Sequence, residues 1–335
     1  MTFESLCKIV DGESLNTPSV NAYEKIETKA HLVKRGDLFV GSEKEAIAKA
    51  LENGAYGILH ESDTIMIDEE VAWMKVASTD DALIKILRFS LLKSDSLFFY
   101  FPDIEYEILK QIIKKEKVIF LKDEVHKNFK KILEAENSSF FISKKEDFLH
   151  KIYPEFITYH DKNKSLIQLT HQTLFLSSFT YEEIHYENIK LPALFLSSLN
   201  RVLHFAKESQ LSFDIEKLAF IEEFKPLFIS NKLTPKAFGD SEHAFIVQNN
   251  AKQILPALNY IQEFAKWANI LLFIPKETNI TTKIETNYYE NLEEVKEIEV
   301  DKFNFILIVA NYNAVSSILE KNKHRESISL FRSTE

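Results

Sequence analysis

No glycine occurs between Gly57 and Gly239 of this 335-residue chain, which holds only six in all. A phosphate loop uses glycines to reach positive φ and to let backbone N–H groups approach the phosphates. The middle of the chain therefore offers no such loop. After the apolar run Leu97-Phe98-Phe99-Tyr100-Phe101 the sequence passes straight into a helical pattern through Pro102-Asp103, a connection too short to cradle a triphosphate. Asp103, Glu105 and Glu107 then put negative charge into the cap and first turn, where the helix dipole otherwise attracts anions, so these acids would occupy the donors and repel a phosphate. A composition rich in Lys, Ile, Phe and Asn accounts for part of the low glycine total. It does not account for the missing loop.

At 335 residues the chain exceeds what one hydrophobic core usually supports, so two or three domains are expected. With 45% hydrophobic and 27% charged residues it is composed like a globular protein, not a disordered one. The net charge of −10 argues against nonspecific binding to nucleic acid or anionic lipid. Cys7 is the single cysteine, which excludes an intrachain disulfide and fits a reducing compartment. Met1-Thr2-Phe3-Glu4-Ser5-Leu6 lacks the basic flank and apolar stretch of a signal peptide. No run reaches the roughly 18–20 apolar residues of a membrane span. These features predict a cytoplasmic protein without direct membrane insertion.

The first 92 residues read as a small α/β unit. Asp37-Leu38-Phe39-Val40 is a short strand, and Ser42 to Asn53 has helical spacing, with Ala46, Ile47, Ala50 and Leu51 on one face. Gly54 follows as a helix stop, Tyr56–Leu59 as the next strand, and Ala72–Val76 as another before a helix capped by Thr79. The segments Val33-Lys34-Arg35-Gly36-Asp37-Leu38-Phe39-Val40 and Ala50-Leu51-Glu52-Asn53-Gly54-Ala55-Tyr56-Gly57-Ile58 resemble the N-terminal domain of the Mur ligases, especially those that add the third residue and the D-alanyl-D-alanine dipeptide to UDP-N-acetylmuramoyl peptides. In that family an Asp-Ser-Arg triplet helps to hold the uridine nucleotide. Its place here is taken by Lys29-Ala30-His31, and the loop after Val40 is reduced to Gly41-Ser42-Glu43-Lys44. Thr28, His31 and Ser42 are what the resemblance leaves for a vestigial UDP-sugar site.

From Ser96 to Lys225 short apolar runs alternate with amphipathic helices, which favours a parallel sheet with crossover helices. The expected strands are Leu97–Phe101, Val118–Leu121, Ser139–Ile142 and Phe156–Tyr159. The expected helices are Asp103–Lys115, Glu124–Glu134 and Lys145–Ile152. Leu166–Leu169 and Thr173–Leu176 suggest an antiparallel edge, and Leu191-Pro192-Ala193 opens a long helix. Farther on, Ala244–Val247, Ile270–Ile274 and Phe303–Val309 read as strands, with helices at Ala251–Trp267 and Ala314–Lys321. Glu290–Glu299 reads as a solvated loop or short helix. The resemblance implies a three-domain α/β architecture: a UDP-sugar-binding-type domain at 1–92, a reduced central parallel-sheet domain without a phosphate loop at 93–225, and a Rossmann-like domain at 226–335. The family's Asp-x-x-x-Asn-Pro segment falls on Phe245–Ala251, where only an asparagine is kept.

Other constellations point to no chemistry. The histidines form no metal-ligand pair, and His60-Glu61-Ser62-Asp63 reads as a solvated loop. His160, Asp161 and Ser165 lie in a polar turn without a nucleophile elbow. Most of the 27 phenylalanines fall within apolar strands and read as core. Phe98, Tyr100 and Tyr106 are expected around the cleft a nucleotide would occupy. Because the loop, its lysine and its magnesium ligands are missing, the expectation is a catalytically inactive Mur-ligase-like protein, without cofactor or metal. It would serve as a protein-interaction scaffold or regulator linked to peptidoglycan synthesis. Two alternatives stand beside it: a divergent ATP-dependent ligase holding phosphates with lysines such as Lys93 or Lys110, and a UDP-sugar sensor.

Overall fold

The computed structural model describes residues 1–61, 67–114, 116–159 and 165–321. They pack as two compact units, one formed by Met1–Pro102 and Lys115–Tyr159, the other by Asp103–Lys114 and the chain from His160 onward.

The first unit begins with α1 (Phe3–Val10), whose Phe3, Leu6 and Val10 are buried. Sheet one follows, with strands β1 (Glu13–Ser14), β2 (Ile26–Glu27), β3 (Leu38–Val40), β4 (Gly57–His60) and β5 (Ala72–Lys75) in the order β1-β5-β4-β3-β2. All neighbours are parallel except β1, which joins the edge antiparallel. Helix α2 (Lys44–Glu52) crosses from β3 to β4, and α3 (Thr79–Leu91) leaves β5. Parallel strands with helices on both faces need apolar residues on both sides, and β3 supplies them. Leu38 and Val40 enter the core shared with α1 and α3, whereas Phe39 enters a second core beneath α2 with Ile47, Ala50 and Trp73.

Local chemistry sets the ends of these helices. Gly54 has φ +90°, the N–H of Gly54 meets Leu51 O at 2.9 Å, and that of Ala55 meets Ala50 O at 3.0 Å. This paired closure is the Schellman stop that the glycine predicts. The cap of α3 differs from the expectation: Ser78, not Thr79, accepts the N–H of Asp81. The Thr79 hydroxyl instead donates to Glu61.

Sheet two contains β6 (Leu97–Tyr100), β7 (Val118–Phe120), β8 (Phe140–Ser143) and β9 (Ile157–Thr158), all parallel, in the order β7-β8-β6-β9. Between β6 and β7 the chain runs through α4 (Asp103–Ile112), which belongs to the second unit. Helices α5 (Val125–Leu133) and α6 (Glu146–Ile152) make the remaining crossovers. The core beneath α1 and α3 continues without a break through Leu83, Ile86 and Leu87 to Phe98, Phe129, Phe141 and Leu149. One hydrophobic interior thus serves both sheets of this unit.

The second unit holds sheet three, an antiparallel meander of β10 (Ile167–Gln172), β11 (Ser177–Tyr181) and β12 (Ile184–Ile189), then α7 (Leu196–Glu208). Thr173–Leu176, expected as a strand, is the turn between β10 and β11, closed by Thr173 N to Leu176 O at 2.8 Å. Sheet four combines β13 (Lys225–Ile229), β14 (His243–Gln248), β15 (Ile270–Pro275), β16 (Glu285–Tyr289) and β17 (Phe305–Val309) in the order β13-β14-β17-β15-β16, with β13 the antiparallel edge. Helix α8 (Ile254–Phe264) links β14 to β15, and residues 312–321 are helical after β17. Every residue of β17 is buried, as a central parallel strand requires. The acidic stretch Glu290–Glu299 contains a 3-10 helix, Leu292–Glu297, with a capping box between Asn291 and Glu294. Sheet one lies within the expected first domain and sheet two and the meander within the second, while sheet four begins one residue before the expected third.

Candidate functional site

In parallel α/β sheets ligands bind outside the carboxyl ends of the strands. At that edge of sheet two, β6 ends at Tyr100 and α4 begins at Asp103, so Phe101 and Pro102 alone form the connection. Phe101 is 1% exposed; its N–H continues the ladder to Ser143 O at 3.0 Å, and its ring lies 6.0 Å from that of Tyr159, which follows β9. The neighbouring strand ends are closed by their own side chains. Asn128, fully buried on α5, accepts from Lys122 N at 2.8 Å and donates to the carbonyls of Lys122 and Glu124. Ser143 Oγ accepts from Lys145 N at 3.0 Å.

The aromatic residues at this edge are not those expected. Phe98 stacks inward on Phe141 at 4.5 Å and Tyr153 at 4.6 Å, and Tyr100 packs against the same core. Their alternation along β6 turns both away from the face that carries Phe99 and Phe101. Tyr106 is buried on α4. Phe101 takes the position instead, and its place at the end of the apolar run, directly before Pro102, is the signal for it.

The acids of α4 are also arranged differently from expectation. Asp103 is the first residue of the helix, not its cap. Glu105, 3% exposed, accepts from Arg201 of α7 through Nε at 2.8 Å and through Nη2, and Arg201 also reaches Ser198 Oγ at 3.1 Å. Glu107 faces Lys110 at 3.7 Å. Two of the three carboxylates are therefore matched by side-chain cations and do not sit on the helix's own donors. The Glu105–Arg201 pair, 96 residues apart, had one sequence signal: arginine occurs only five times in the chain, and one of them lies in the apolar α7.

At the carboxyl edge of sheet one, Ser42 follows β3 and its Oγ accepts from Glu61 N at 2.9 Å, which joins the ends of β3 and β4. The Glu61 carboxylate takes the N–H and hydroxyl of Thr79 at the start of α3, and these two hydrogen bonds hold it below the usual carboxylate range. Glu27, buried at the end of β2, is met by Lys130 of α5, and His126 of α5 reaches Asp80 at 2.7 Å. Thr28 is half-buried immediately after β2. His31 is exposed in the 3-10 turn Ala30–Leu32, which Asn53, at the far end of α2, ties down through Ala30 O at 2.9 Å. Since α2 spans nine residues and rises about 1.5 Å per residue, His31 and Ser42 lie at opposite ends of it. Thr28 and Ser42 share the edge; His31 does not join them. Of the remaining candidates, Ser62, Asp63, His160 and Asp161 lie outside the described residues. Among the described residues no group of three or more His, Cys, Asp or Glu is placed to hold a metal.

The chain has the fold of the Mur ligases. It superposes on the MurF ligase of Thermotoga maritima, solved in complex with ADP, over 90% of this chain and 98% of that one, with a TM-score of 0.59 and 13% identity. On the UDP-N-acetylmuramoylalanyl-D-glutamyl-2,6-diaminopimelate–D-alanyl-D-alanyl ligase of Acinetobacter baumannii the coverage is 96% and 98%, with a TM-score of 0.54 and 9% identity. No family model matches the sequence, and no curated protein does either. The likeness therefore resides in the backbone and defines the fold. Among the described residues no helix is long and apolar enough to cross a membrane.

Proposed function

We propose that this chain is a Mur-ligase fold that does not carry out ATP-dependent ligation and works as a protein-interaction scaffold or regulator, linked through its fold to peptidoglycan synthesis. One observation carries the reading: β6 passes to α4 through Phe101 and Pro102 alone, with Phe101 buried against Tyr159. Backbone donors in a glycine-rich loop are what hold triphosphates in strand-loop-helix sites, and two residues with a buried ring cannot present them. Ion pairing of Glu105 and Glu107 reduces their repulsion of phosphate, so the length of the connection decides the matter, not charge. Calorimetric titration of the full chain with ATP and magnesium is expected to give no heat of binding; micromolar affinity would overturn the reading.

The UDP-sugar sensor is the reading that Ser42 and Thr28 favour, since both lie at the carboxyl edge of sheet one. Against it stand the position of His31 and the engagement of Ser42 with Glu61. A UDP-N-acetylmuramoyl peptide that raised the melting temperature would establish it. The divergent ligase rests on lysines as point charges without preorganised donors, and Lys110 already faces Glu107. Acceptor-dependent phosphate release would reinstate it.

A further inference from the structure

The turn between β10 and β11 carries a ring that packs against another sheet. Phe175, 6% exposed, lies 5.6 Å from Phe228 of β13, 6.1 Å from Phe305 of β17, 6.0 Å from Phe238 and 6.0 Å from Phe224. Three of the four contacts are edge-on, with interplanar angles of 72°, 73° and 78°, the geometry that aromatic quadrupoles favour. The turn is built to hold that ring in place. Thr173 Oγ1 accepts from Leu176 N at 2.9 Å and from Phe175 N at 3.3 Å, while Tyr260 of α8 approaches Thr173 O at 3.5 Å. Tyr260 in turn packs edge-on to Phe224 at 5.8 Å.

We propose that the β10–β11 turn is a fastener: Phe175 couples the meander to sheet four so that the two open and move as one body. Successive domains in a chain ordinarily meet across fairly polar interfaces and move relative to each other. Phe175, Phe224, Phe228 and Phe305 are buried and Phe238 is half-exposed at the rim; a cluster of rings contributed by both sides behaves as a single core, because removing either side exposes the apolar surface of the other. This goes beyond the scaffold reading and does not depend on it.

Native-state hydrogen exchange of the full chain in low denaturant tests the coupling. In the unmodified protein the slowest amides of β11 and β14 are expected to share one opening free energy and one denaturant dependence, as members of one cooperative unit do. Phe175→Ala is expected to release β11, whose amides then exchange at least about tenfold faster relative to those of β14. If the replacement does not fold, Phe175→Leu, which keeps apolar bulk and loses the ring edges, is read the same way. Separate openings of β11 and β14 in the unmodified chain would overturn the proposal, and so would equal acceleration of both strands in the variant.

Discussion

Glu182 and Glu183, the two residues that turn β11 into β12, have φ of 47° and 68°. Two-residue hairpins with both residues in the left-handed region favour Asn-Gly, and this chain makes one without either. Asp11, Ser138, Asn188, Gln210 and Leu233 also have positive φ, against three glycines that do. The scarcity of glycine is therefore met by other residues accepting strain, and a low glycine total alone does not remove a loop. Glu183→Gly is expected to stabilise the protein by about 1 kcal/mol, read as a higher midpoint in urea unfolding. Glu61 gives a second test at this scale. Its folded pKa is depressed by the Thr79 hydrogen bonds, so its contribution is present above the unfolded value near 4.5 and is lost as pH falls through the lowered one. Urea midpoints measured from pH 6 to about pH 3 should fall less steeply in Glu61→Gln than in the parent.

Helix α4 shows how an element hides its partner from sequence. Its apolar face and acidic first turn were legible, and its bounds agree with expectation to within a few residues; that Glu105 turns into α7 was not, because the pairing spans 96 residues. Arg201→Ala is expected to cost about 3 kcal/mol by leaving a buried carboxylate uncompensated, and Glu105→Leu combined with Arg201→Met should restore most of it; chemical denaturation of the parent and the two variants tests this. The strands of sheet two were readable since each is an apolar run bounded by helical periodicity. β1 and β2 were not, because neither Glu13–Ser14 nor Ile26–Glu27 stands in an apolar run, and β16 has mostly polar, exposed residues at the edge of sheet four. β13 escaped notice because Lys225-Pro226 opens it, and proline is admitted only on an edge strand, which this one is. At the candidate site the shortness of the β6–α4 connection is legible, while the ring that closes it is not: the expectation names Phe98, Tyr100 and Tyr106, and the pleat puts Phe101 there instead.

Across the whole molecule, the sequence separates three segments and each contains its own sheets, yet folding does not respect the first division. Leu83, Ile86 and Leu87 of α3 pack into the same interior as Phe98, Phe129 and Phe141. A fragment ending at residue 92 keeps sheet one but presents the inner side of α3 to water. That fragment is expected to bind a hydrophobic dye and to sediment as aggregates, in contrast to the intact chain. The seam visible in the amino-acid order is thus no place to cut: a piece severed there inherits an unhealed wound, and assembly of the N-terminal portion must wait until the following residues through Ile152 have left the ribosome.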